Sequence, residues 1–224
     1  SEGPQTGEGC GQRFSLYLGN RLETPVARWW LQPPLQSTAE QQSAYGKIWQ
    51  ELVGRHGIGR IIVSSLVGHS LEVLSSGRPT LQVLHDFYPA WPLLDVHPGP
   101  YLEDGAEHAL ELAVQKNRLL PELGDHDAAG WRRLGYLWRE RVQQQGVKLA
   151  ASSRSVAEML PRLDPGWASS RIEIIPHGLA PFDDDRKPEP KEREDGRLRL
   201  VIPGRIQPGK GKQLLLDALP ALTE

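Results

Sequence analysis

Four short apolar runs constrain this chain more than any other feature: residues 60–64 (RIIVS), 80–84 (TLQVL), 147–151 (VKLAA) and 171–175 (RIEII). Each is strand-length, and the segments between them carry helical periodicity. Strands that alternate with helices build β–α–β units, and right-handed crossovers then give a mainly parallel sheet. The run at 60–64 is almost continuously apolar. It predicts a strand buried on both faces.

The helical segments have their own signals. Residues 38–56 place Ile48, Leu52 and Val53 on one stripe, and Thr38 with Gln41 resembles a capping box. Residues 66–76, 106–120 and 128–145 read as helices, the last with Trp131, Leu134, Trp138 and Val142 at helical spacing. Ser155 and Glu158 form a capping-box pair ahead of Val156, Met159, Leu160 and Leu163, and Pro161 should end or kink that helix. Upstream, residues 14–18 and 26–31 read as two further strands. Residues 86–105 show no period and hold Pro89, Pro92, Pro98 and Pro100.

Residues 183–196 differ in kind. Eleven of these fourteen are charged, so the segment has nothing to bury and reads as a solvated linker. A strand at 198–202 follows, then a helix from about Lys210 with Leu214, Leu215, Ala218, Leu219 and Leu222 on one stripe. The expected organisation is a Rossmann-like domain over 1–182, incomplete at its N-terminus, a charged linker over 183–196, and the first βα unit of a second domain over 197–224. That unit cannot form a core alone. It should dock on the first domain or pair with a second copy of the chain as a homodimer.

Composition excludes several classes. The 26 basic and 28 acidic residues leave a net charge of −2, which marks no nucleic-acid binder. The single cysteine, Cys10, excludes an intramolecular disulfide framework and a multi-cysteine zinc site, and fits a reducing cytoplasm. No apolar run approaches the roughly 18 residues of a membrane span. The only methionine is Met159, so the chain reads as a piece of something longer.

In a parallel sheet, ligands sit at the carboxyl ends of the strands. The sharpest signal there is the run from Gly204 to Lys212. Arg205 offers a bidentate fork and Lys210 a point charge ahead of a helix N-terminus, a combination suited to a diphosphate. The run nearly matches a Walker A loop, but Gly211 stands where a Ser or Thr should hold magnesium. A solvated basic turn is the plainer reading of the same residues. His85 ends a strand and opens the long loop. His85, Asp86, Asp95 and His97 could together hold a metal only in a demanding loop geometry. His69 reads as a structural residue. Phe87, Tyr88, Trp91 and Tyr101 offer aromatic faces for a sugar or lipid, or else pack the loop against the neighbouring helices.

These motifs together resemble one family. The segment GRIQPGKGKQLLLDAL (204–219) looks like the opening of the C-terminal domain of retaining GT-B glycosyltransferases, family 4. IIPHGL (174–179) resembles the segment that precedes the interdomain linker. VLHDFYP (83–89) is similar to a His-Asp segment of the N-terminal domain, and Ala151-Ser152-Ser153 to a serine after a strand. The four matches fall in the family's order over about residues 60–222.

The resemblance implies transfer of a sugar from a nucleotide-sugar donor to a glycan or lipid-linked acceptor, as in bacterial-type surface polysaccharide synthesis. It implies that Arg205 and Lys210 bind the donor diphosphate, with Gly204 and Gly178 beside them. His85, with Asp86, would be the catalytic pair in the interdomain cleft. The donor is a substrate, and no metal or cofactor is required. A cytoplasmic enzyme is implied, peripheral at the inner face of the membrane. The family's Gly-Gly loop is not found before Phe14, and its Glu-x7-Glu signature is not reached by Glu224. The chain is therefore expected to be inactive alone. Two other classes stay open. A different α/β enzyme, such as a hydrolase or a sugar epimerase, would show a base and a nucleophile beside His85. A non-catalytic assembly module would keep the fold without binding an anion.

Overall fold

The structure, a computed structural model, describes residues 11–19, 23–35, 37–93, 97–117, 126–178 and 212–220. Strands β1 (Gln12–Leu16) and β2 (Ala27–Leu31) form an antiparallel pair outside the main sheet, with Phe14 opposite Trp29. Buried Gln12 anchors it: its side-chain amide donates to Gly68 O at 2.7 Å and accepts from Leu35 N at 3.0 Å.

Strands β3 (Ile61–Val63), β4 (Thr80–Leu84), β5 (Lys148–Ala151) and β6 (Ile172–Ile174) make one parallel sheet, in chain order. With helices flanking it, this is an α/β arrangement of Rossmann-like type. Val63 lies beside Gln82, Gln82 beside Leu149, and Leu149 beside Ile172, so these side chains share a face. Every strand adds on the same side of its predecessor. Right-handed crossovers then carry every connection over that same face. Ile61, Val63, Thr80, Gln82 and Leu84 on it are buried.

The other face departs from the sequence expectation. Ile62, predicted to be enclosed, is 71% exposed, and Lys148 and Glu173 on the same face are exposed too, while Ala150 there is buried and Leu81 and Val83 are half-buried. The apolar run marked a strand correctly but could not say how many faces are covered.

Helix α1 (Ser43–Arg55) starts later than 38, because Gln42 rather than Thr38 caps it. Thr38 is buried instead, and its hydroxyl donates to Leu66 O at 2.6 Å. The helix expected over 66–76 is only a 3₁₀ turn, Leu71–Ser75. Gly68 takes φ 73°, which a right-handed helix cannot accommodate, and Ser70 caps the short turn that follows. Residues 86–105 contain a second 3₁₀ turn, Gly99–Asp104, leading into α2 (Ala106–Asn117).

Helix α3 (Ala128–Gln144) buries Trp131, Leu134, Trp138 and Val142, the stripe read from the sequence. Trp138 donates to Gln82 Oε1 at 2.9 Å and packs on Trp167 with ring centroids 4.5 Å apart. Helix α4 (Arg154–Leu163) is capped by Ser153, two residues ahead of the expected cap, and ends just past Pro161.

Gly46 of α1 is a point of close approach. A Cβ there would lie 2.5 Å from Glu72 Oε1, whose partner oxygen accepts from Gln42 N at 2.9 Å and Ser70 Oγ at 3.0 Å. Gly46→Ala should therefore destabilise by about 1–3 kcal/mol through overpacking. Gly54→Ala on the same helix meets nothing within 4 Å and should be neutral or stabilising. Urea midpoints of the two variants measure the contrast; equal shifts would contradict it.

The chain divides into two compact units, Ser1–Pro176 and His177–Glu224. Within the second, α5 (Lys212–Ala218) leaves Leu214 and Leu216 exposed. The charged segment 183–196 and the strand expected at 198–202 lie outside the described residues. No helix among the described residues is long and apolar enough to cross a membrane.

Candidate functional site

The carboxyl ends of β3 and β4 open onto a cavity of about 260 Å³. Its lining includes Ser64, Ser65, Leu66, His85, Asp86 and Tyr88. Ser64 follows β3 and His85 follows β4. Strand alternation directs both side chains from the open face of the sheet, away from Val63 and Leu84. Ser64 Oγ lies 3.0 Å from His85 Nε2, and both residues are exposed.

Asp86 behaves differently. Its Oδ1 accepts from Tyr88 N at 2.9 Å, an Asx turn that starts the loop. Burial pushes its carboxyl above the ordinary range; the Tyr88 amide and the charge of His85 oppose that shift. Tyr88 is structural. Its hydroxyl lies 2.7 Å from Thr38 Oγ1, and because Thr38 donates to Leu66 O, the phenol is the donor to Thr38. Burial pushes Tyr88 up to about 12, so it stays neutral and fixes the cavity wall.

The aromatic residues of the loop are spent on packing. Tyr88 and Trp91 are 6% and 1% exposed, which removes their faces from any sugar or lipid. Tyr88 meets Trp131 edge-on, Phe87 meets His97, and Lys116 sits over Tyr101. His97 accepts from Gly99 N at 3.0 Å through Nδ1 and approaches Ser155 Oγ at 3.5 Å through Nε2. Asp95 lies outside the described residues. Among the described residues no three His, Cys, Asp or Glu side chains are grouped to hold a metal.

His69 is held in the fold. Its Nδ1 is 2.9 Å from Tyr45 Oη, Phe14 packs against both rings, and burial lowers its pKa to about 4. The same desolvation raises the Tyr45 phenol. Gly178 is exposed with open space around it. Gly204, Arg205 and Lys210 lie outside the described residues.

The sequence points to His85 and Asp86 as site residues, gives Thr38 only as a helix cap and gives Ser64 no role. Ser64 had one available signal. It is the first polar residue after an apolar strand, as His85 is after the neighbouring one. Chemically, the unprotonated His85 ring can take a proton from a hydroxyl, and Ser64 places one within reach. No protein family, curated protein or solved structure matches this chain.

Proposed function

We propose that this chain is the acceptor-side part of a retaining GT-B glycosyltransferase, joined to the start of its donor-side domain. The observation that carries the reading is the position of His85. It stands exposed at the carboxyl end of a parallel strand, beside a cavity, where the resemblance puts the residue that faces the transferred sugar or the acceptor hydroxyl. The donor is a nucleotide-sugar and the acceptor a glycan or lipid-linked glycan. Arg205 and Lys210 neutralise the departing diphosphate, which is electrostatic stabilisation of developing negative charge. Gly204 and Gly178 let the backbone approach the donor. The enzyme works in the cytoplasm, at the inner face of the membrane.

The test is calorimetric titration of the intact protein with a nucleoside diphosphate. Arg205→Ala should weaken binding about tenfold or more, the loss of one charge-assisted bidentate contact of about 1.5–3 kcal/mol. Equal affinities for the variant and the parent would remove the diphosphate site and with it the glycosyltransferase reading.

A further inference from the structure

We propose that Ser64 and His85 form a nucleophile–base pair that accepts a short acyl group from an ester. Nothing in the glycosyltransferase reading requires Ser64, and no donor-site residue enters the acyl chemistry.

The geometry supplies the first argument. A serine hydroxyl is a weak nucleophile until a base within hydrogen-bond reach can take its proton. Ser64 Oγ and His85 Nε2 are 3.0 Å apart. Ser64 directly follows β3 and His85 directly follows β4, and the register that sets Val63 beside Gln82 brings Ser64 level with Val83, one diagonal step short of His85.

The surroundings supply the second argument. Leu66 and Leu84 line the cavity beside Ser65, Gln82 and Asp86, and Tyr88 is held in place by Thr38. The wall is therefore part apolar and part polar. At about 260 Å³ the space falls below the roughly 300–1,000 Å³ of sites for drug-sized ligands, so it suits an acetyl-sized group. The Asp86 carboxyl follows His85 in the chain and lines the same cavity. Both reacting side chains are exposed and so reachable.

The steps balance with water as the only co-reactant. Ser64 Oγ bonds to the ester carbonyl carbon while its proton passes to His85 Nε2. The carbon–alkoxy bond breaks, and the leaving alcohol takes that proton. Water then attacks the acyl carbon and gives a proton to His85. The acyl–Oγ bond breaks, Ser64 recovers the proton, and the carboxylic acid departs.

The experiment uses the full chain with p-nitrophenyl acetate as substrate and a fluorophosphonate as covalent probe. The expected result is acetate release at least about 100-fold faster than with Ser64→Ala, the usual size of a general-base contribution. The probe should add once, at Ser64 by peptide mass mapping. His85→Gln should slow that labelling about tenfold or more while far-ultraviolet dichroism stays unchanged. Should Ser64→Ala fail to fold, Ser64→Cys keeps a nucleophile in place and should carry the acetyl group from p-nitrophenyl acetate on its thiol. An adduct at Ser65, Ser152 or any other residue, or no adduct, would overturn the pair, as would equal rates for parent and variants. Because the diphosphate titration involves neither Ser64 nor His85, failure here leaves the glycosyltransferase reading standing, and failure there leaves this one.

Discussion

Replacing Trp138 with alanine is expected to produce the largest loss of stability of any substitution described for this protein. Trp138 is fully enclosed between the covered face of the sheet and Trp167. Truncating a buried tryptophan costs about 3–5 kcal/mol in lost transfer energy and residual cavity. It also strips Gln82, 3% exposed in the middle of β4, of the indole donor to its Oε1. A buried acceptor left without its donor costs about 1–3 kcal/mol more. Domains of this kind have only about 5–15 kcal/mol to lose, so the variant should be largely unfolded at moderate urea. Trp138→Phe keeps a six-membered ring in the site but loses the N–H together with the rest of the pyrrole ring, so it should cost less than alanine yet at least the about 1–3 kcal/mol of the unpaired acceptor. Urea unfolding followed by far-ultraviolet dichroism measures both. A phenylalanine variant as stable as the parent would show that the Gln82 contact contributes nothing.

Acid is expected to destabilise the fold through His69. Its folded-state pKa of about 4 lies below the ordinary 6.5, because burial disfavours the charged ring. Between those values the unfolded chain binds a proton that the folded chain refuses. Stability from this residue is therefore complete above pH 6.5 and falls as the pH drops toward 4. The slope is about 1.4 kcal/mol per pH unit, about 3 kcal/mol across the window. The ring faces Phe14 and the neutral Tyr45 phenol, neither of which supplies a countercharge. His69→Gln keeps an acceptor for Tyr45 and removes the titration. Unfolding free energies at pH 7 and pH 4.5 should differ much less in that variant than in the parent. An equal pH dependence would assign the acid sensitivity to other groups.

The sequence revealed elements better than surroundings. The α3 stripe from Trp131 to Val142 was legible because four large apolar residues at helical spacing have one physical solution. All four sheet strands were legible for a similar reason. Ile62 was misjudged because coverage of a face depends on the direction in which successive strands add, which no local pattern encodes. The segment 66–76 was misjudged because one glycine, Gly68, left the helical region and shortened the turn. Thr38 carried the right residue type for a cap, yet a buried partner, Tyr88, outcompeted the helix end for it.

The site followed the same rule. His85 announced itself by its place after a strand, whereas its pairing with Ser64 depends on β3 and β4 being neighbours in register. The loop aromatics fitted either ligand contact or packing, because residues 86–105 have no period. Tyr88 meets Trp131 of α3 and Tyr101 meets Lys116 of α2, elements the chain supplies only later.

The chain order of the sheet also fixes the sequence in which it can assemble during synthesis. Each strand needs only the strand made just before it, so pairing can proceed from the first strand onward without waiting for the C-terminus. The steps are not equally spaced. β3 and β4 are separated by residues 64–79, and β5 and β6 by residues 152–171, but residues 85–147 intervene between β4 and β5. Closing that long loop is the entropically expensive step. Until Lys148 has left the ribosome, β4 has no partner for its second edge, and an unpaired edge is a template for the wrong strand. Trp138 is made only ten residues before that strand begins, so the side chain that seals β4 and the strand that pairs with it reach the growing sheet together.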